Sequence, residues 1–221
     1  MKFLIVISLL FCAFPLMYSH PKQGEEAAVC GIQFIPKEFN DIKLGYNQTE
    51  MVKTSPGYPN DVIKANTMAI NTPTMIYYND CDSRFKPVIP LSAIYAVTLE
   101  RSLKYIRLIS QLIHIKNIDN GVEFSGEIFK KRNPNIDEHP LVSLNAAEKE
   151  KERQELIEKA QKLTDEEIDN RGYGIGEFIN VNIMEYVDFS FLPGKYEVWL
   201  SFSGLESNHT VVEIVKRNNV K

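Results

Sequence analysis

The chain has 221 residues, 44 % hydrophobic and 24 % charged, a balance that excludes a collagen-like, low-complexity or wholly disordered protein. No run of about eighteen apolar residues occurs, so no integral membrane span is expected. A net charge of −4 and a pI near 5.7 argue against nucleic acid as a partner, because such binders carry a basic face.

Met1-Lys2 precedes the apolar run Phe3–Phe14, which has the length of a signal-peptide core and is interrupted by Pro15. Residues 1–19 are therefore expected to be a signal peptide cut after Ser19, and the protein to be secreted, periplasmic or extracellular. Lipid anchoring at Cys12 is the less favoured route, since Phe11 stands where lipoprotein signals want Gly or Ala. Cleavage removes Lys2 and no acid, so the mature surface is one unit more negative, which serves solubility. Cys12 leaves with the signal. Cys30 and Cys81 remain, an even number in an oxidising compartment, and a Cys30–Cys81 disulfide is expected. It would close a loop of about fifty residues, for which the chain-entropy model gives on the order of 4 kcal/mol. No CxxC and no Cys/His cluster has zinc spacing.

Residues 20–29 are polar and are expected to be a loose tail. Gly31–Ile35 reads as a short strand stopped by Pro36. Residues 36–67 hold Pro36, Gly45, Pro56, Gly57 and Pro59 with little periodicity, which is loop chemistry. Thr74–Tyr78 reads as a strand. Residues 20–87 are thus expected to form an irregular N-terminal region closed by the disulfide.

From residue 88 the pattern is β. Val88-Ile89 and Ile94–Leu99 are rich in branched and aromatic side chains. Tyr105–Lys116 is long enough for a helix, but its β-branched content and the Asn120-Gly121 hairpin signal favour a strand. Val122–Phe129 alternates as a return strand. The period then changes. Asn145–Glu148 has the form of a capping box, and the helix it opens is charged all round in its first half. Its apolar stripe is Leu156, Ile157, Ala160 and Leu163, with Glu155–Lys159 and Glu158–Lys162 as supporting pairs. Thr164–Glu167 is a second capping box. Phe178–Tyr186, Tyr196–Phe202 and Thr210–Val215 are the closing strands. The expected fold is mainly β: a β-sandwich over 88–221 with a charged helical insertion at 145–169 and an irregular N-terminal extension. Trp199 and Leu200 take opposite faces of their strand, so the insertion helix is expected to cover its outer side.

Leu192-Pro193-Gly194-Lys195-Tyr196-Glu197-Val198, with Ser207-Asn208 and Val212-Glu213-Ile214, resembles the end of immunoglobulin-like domains of secreted bacterial proteins. The resemblance implies an immunoglobulin-like sandwich, with Pro-Gly at a corner and Tyr196 buried with its hydroxyl bonded near the turn. It concerns the fold and brings no function with it.

The histidines His20, His114, His139 and His209 form no H-E-x-x-H or H-x-H, so a zinc hydrolase is not expected, and His114 should be a hydrogen-bonded strand residue. No G-x-S-x-G elbow exists. Gly172–Gly176 follows a helix and precedes a strand, the reverse of a phosphate loop. Asp80-Cys81-Asp82, and Asp165-Glu166-Glu167 with Asp169, do not match a calcium loop. Asn47-Gln48-Thr49 and Asn208-His209-Thr210 are glycosylation acceptors only in a eukaryotic source. The expectation is a secreted, non-catalytic binding or interaction module for a protein or glycan partner, with no catalytic, metal or cofactor residue. The alternatives are an inhibitor of a secreted protease, presenting a loop from 40–67, and an extracellular enzyme using carboxylates. A deep pocket with two or more converging carboxylates or a carboxylate–His pair would favour the enzyme, and a protruding rigid loop the inhibitor.

Overall fold

The computed structural model describes residues 31–45, 47–59, 63–79, 85–108, 110–128, 146–170 and 174–217. Within them the period-two segments form strands β1 (Gly31–Ile35), β2 (Thr67–Asn71), β3 (Met75–Asn79), β4 (Pro90–Val97), β5 (Leu112–Asn117), β6 (Glu123–Glu127), β7 (Ile175–Asn182), β8 (Gly194–Phe202), β9 (Leu205–Glu206) and β10 (Thr210–Lys216). The helices are α1 (Leu99–Lys104), α2 (Ala146–Gln161) and α3 (Asp165–Asp169). The larger sheet runs β1-β3-β10-β8-β5-β6, with β9 beside the end of β8, and the smaller runs β2-β4-β7. β3 and β10 are parallel, and the other pairs are antiparallel. The fold is therefore mainly β.

Alternation sends one face of each sheet into a common core. Ile76, Ile113, Ile115, Tyr196, Val198, Leu200, Val212 and Ile214 of the larger sheet cluster with Met68, Ile70, Leu91, Ala93, Ile179 and Val181 of the smaller one. Tyr196 enters this core, and its hydroxyl donates back to the Leu192 carbonyl at 3.0 Å. β4 is buried along its whole length, as a central strand covered on both sides must be.

Residues 31–79 are more regular than an irregular extension. β1 and β3 add to the larger sheet and β2 to the smaller, so this segment builds both layers. The strand expected over Tyr105–Lys116 is only its second half, β5. The first half holds Tyr105, which closes α1, and a 3-10 turn at Ile106–Leu108. Thr98 decides this: its buried hydroxyl accepts from Arg101 N at 3.2 Å, while Asn66 Oδ1 accepts from Thr98 N and Oγ1. A capped helix start outweighs the branched side chains that follow. The hairpin is wider than a two-residue turn, because Asn117 Oδ1 accepts from both Asp119 N and Asn120 N and only Gly121, at φ +75°, needs the left-handed region. The tight hairpin lies elsewhere, at Ser203-Gly204, both with positive φ, between β8 and β9.

The helical segment covers α1, not the outside of β8. Ile157 and Ala160 of α2 and Ile168 of α3 are buried, whereas Leu156 is exposed. Thr164 and Glu167 make the expected capping box of α3. Cys12, Cys30, Cys81, His20, His139, Asp80, Asp82, Asn145 and Gly172 lie outside the described residues, and with them the disulfide, the signal peptide and the first helix cap.

Candidate functional site

Residues 36–59 carry a concave surface. Phe39 is buried and anchors a 3-10 turn at Lys37–Asp41 to the core. Side chains three apart on such a turn lie one above the other, so Glu38 and Asp41 share a face. The following loop is tied to the smaller sheet. Asn180 of β7 donates its side-chain amide to the Gln48 and Glu50 carbonyls, and its backbone N–H to Gln48 O. Thr54 Oγ1 lies 2.7 Å from Ser92 Oγ of β4, and Asn71 Nδ2 donates to the Thr54 carbonyl at 2.9 Å. Val52 N donates to Ser55 Oγ, closing the bend. Between turn and loop lies an open cleft of about 300 Å³. Glu38, Asp41, Lys53 and Tyr58 give it polar groups, and Ile42, Met51 and Val52 give it apolar surface. Among the described residues, the side chains of Glu38, Asp41, Lys53 and Tyr58 make no hydrogen bond or ion pair within the protein. The sequence marked the 40–67 stretch as a loop that could be presented to a partner, but singled out none of these residues. A 3-10 turn brings Glu38 and Asp41 together, and its spacing has no signature of its own.

The charged groups around Arg101 are used internally. Arg101 is buried beneath α3, with Nη1 at 3.3 Å from Asp169 and Nη2 at 3.9 Å from Asp165. Asp165 also accepts from Lys104 and from the Tyr105 hydroxyl, and these bonds, Lys104 first, hold its carboxyl below the usual range. Asp169 accepts from Asn66 Nδ2 at 2.9 Å. The acidic run Asp165–Asp169 is thus a clamp on α1. Among the described residues no group of three or more His, Cys, Asp or Glu converges to hold a metal ion.

The outer face of the larger sheet carries a three-ring stack. His114 and His209 lie parallel to Trp199 on either side, with centroids at 4.9 and 4.7 Å. Each His209 nitrogen lies 3.0 Å from a carboxylate, Nδ1 from Glu197 and Nε2 from Glu206. The Glu206 bond, then the Glu197 bond, raise the imidazole above its ordinary value. His114 is, as expected, a strand residue with a hydrogen bond, here between Nε2 and Ser201 Oγ. Of the two glycosylation motifs, Asn47 is exposed, while the Asn208 amide is engaged by the backbone of Ile70. Compared with family models, with curated proteins and with solved structures, the chain matches none.

Proposed function

We propose that the protein is a secreted binding module of an immunoglobulin-like type, and that its 38–58 cleft takes a short protein segment without acting on it chemically. The observation that supports this is the set of unspent polar side chains there, lining one concave surface with apolar groups between them, whereas the Arg101–Asp165–Asp169 and His209–Glu197–Glu206 groups are paired within the protein. Two carboxylates against one ammonium favour a segment with a basic side chain. Ile42, Met51 and Val52 suit an aliphatic neighbour beside it. A volume of about 300 Å³ sits at the lower end of ligand cavities, enough for one or two side chains. The anchoring of the loop through Asn180, Ser92 and Asn71 keeps the cleft formed before binding, which lowers the ordering cost.

The test is a titration of the mature protein with short peptides, each holding one Arg or Lys next to a Leu or Val, followed by backbone amide shifts. Shifts confined to residues 38–58, and abolished in the Glu38→Gln/Asp41→Asn double variant, support the reading. Equal binding by the double variant, or cleavage of the peptide, overturns it. Inhibition of a secreted protease through the exposed Gly57–Pro59 tip would favour the inhibitor instead.

A further inference from the structure

Three adjacent strands place a hydroxyl, an imidazole and a carboxylate in a row on the outer face of the larger sheet. β5 pairs with β8 in the register His114↔Trp199, and with β6 in the register His114↔Ser125. Residues two apart share a face, so Ser201 and Glu123 flank His114 on the two diagonals. Nε2 of His114 lies 2.8 Å from Ser201 Oγ, and Nδ1 lies 3.4 Å from Glu123 Oε1. Nδ1 is buried and has no aligned hydrogen bond, which leaves the Glu123 carboxylate as the charge beside it. A carboxylate only accepts, so it favours the tautomer with the proton on Nδ1. Nε2 then offers its lone pair to the serine O–H. Trp199, parallel to the imidazole within 4°, fixes the plane of the ring.

We propose that Ser201, His114 and Glu123 form a nucleophilic triad for carboxylic esters with good leaving groups, half-buried on the outer face of the larger sheet. Ser201 Oγ bonds to the acyl carbon while its proton passes to His114 Nε2. The ester C–O bond breaks, and the departing alkoxide takes that proton. Water then attacks the acyl-serine with His114 as base, releasing the acid and restoring the hydroxyl. Glu123 is a positioning residue, holding the tautomer and balancing the imidazolium. The site stands apart from the 38–58 cleft, whose loop covers the smaller sheet.

The full chain would be treated with a biotin-tagged fluorophosphonate, in which Oγ bonds to phosphorus and fluoride leaves, and with 4-nitrophenyl acetate. The expected adduct is on the peptide containing Ser201, and Ser201→Ala loses it. His114→Phe keeps a ring on Trp199 but removes the base, and should slow labelling about 100-fold or more. Glu123→Gln should slow it about tenfold, and Glu123→Asp should recover part of the rate. Glu38→Gln/Asp41→Asn should label like the parent, which separates this site from the cleft. An adduct at another residue, no adduct on folded protein, or an unchanged rate in His114→Phe overturns the proposal. Circular dichroism of each variant identifies any loss that comes from unfolding, and the Glu123→Asp recovery then decides the matter.

Discussion

Asn208 bonds both backbone groups of Ile70: its Oδ1 accepts from Ile70 N at 2.8 Å, and its Nδ2 donates to Ile70 O at 3.1 Å. Ile70 sits on β2, an edge strand of the smaller sheet, and Asn208 precedes β10 of the larger one. The side-chain amide thus imitates a neighbouring strand and joins the two layers. Thr72 and Thr210 add a hydroxyl bond of 2.9 Å beside it. Asn208→Ala leaves the two edge groups of Ile70 without that partner and should cost about 1–3 kcal/mol in urea unfolding. An unchanged midpoint would show that water replaces the amide fully.

Leu200 is 2 % exposed and belongs to the shared core. Leu200→Ala should cost about 2–5 kcal/mol by transfer and cavity together. Denaturant unfolding measures it, and a loss under about half a kcal/mol would place β8 at the periphery.

His209 gives the molecule a pH response. Its folded pKa is raised, chiefly by the Glu206 bond and then by Glu197. Its contribution is fully present below the unfolded value of about 6.5, and is lost as pH rises through the folded value. The melting temperature should therefore fall from mildly acid to mildly alkaline pH by an amount that His209→Gln removes. The imidazole is partly exposed, so the effect should be small and should shrink with salt. A pH slope identical in the variant would discard the assignment.

The insertion covers α1 through Ile157, Ala160 and Ile168 and clamps Arg101 with Asp165 and Asp169. Loop closure changes slowly with length, so a Gly/Ser link in place of Asn145–Arg171 costs little entropy. The variant should fold cooperatively, with a melting temperature lower by roughly 10 °C from the lost burial. A chain unfolded under every condition would make the helices integral to the core.

β1 and β3 pair as far as Gly31↔Asn79, one residue after Cys30 and two before Cys81 along the chain. The Cys30–Cys81 bond expected from the sequence lies beyond that pair, outside the described residues. Intact mass of exported protein should show loss of the N-terminal segment and two hydrogens fewer than the dithiol. Two thiols that alkylate freely in the native protein would contradict it.

Where one physical rule acts alone, the sequence speaks clearly. Tyr196, Val198 and Leu200 alternate with Glu197, Trp199 and Ser201, and β8 forms on that pattern. Thr164 and Glu167 cap α3 by purely local bonds. Thr67–Asn71 has no comparable signal, and β2 exists because β4 offers it a ladder from Thr67↔Ala96 to Asn71↔Ser92. Ile157 and Ala160 of the insertion's stripe are buried as expected, while Leu156 is exposed and Leu163 half-buried; the stripe's target was not legible, since α1 itself depended on the distant Asn66–Thr98 contact. The ring stack and the Ser201–His114–Glu123 row arise from strand register between residues far apart in sequence, which no local motif encodes.

β10 lies between β3 and β8, parallel to one and antiparallel to the other. Among the described residues it alone joins the β1-β3 pair to the β8-β5-β6 block within the larger sheet. During synthesis every other described strand therefore emerges before the strand that unites them, and until Thr210–Lys216 is released the larger sheet remains as two incomplete halves. Assembly has to wait for these distant contacts, which slows it and exposes unpaired strand edges meanwhile.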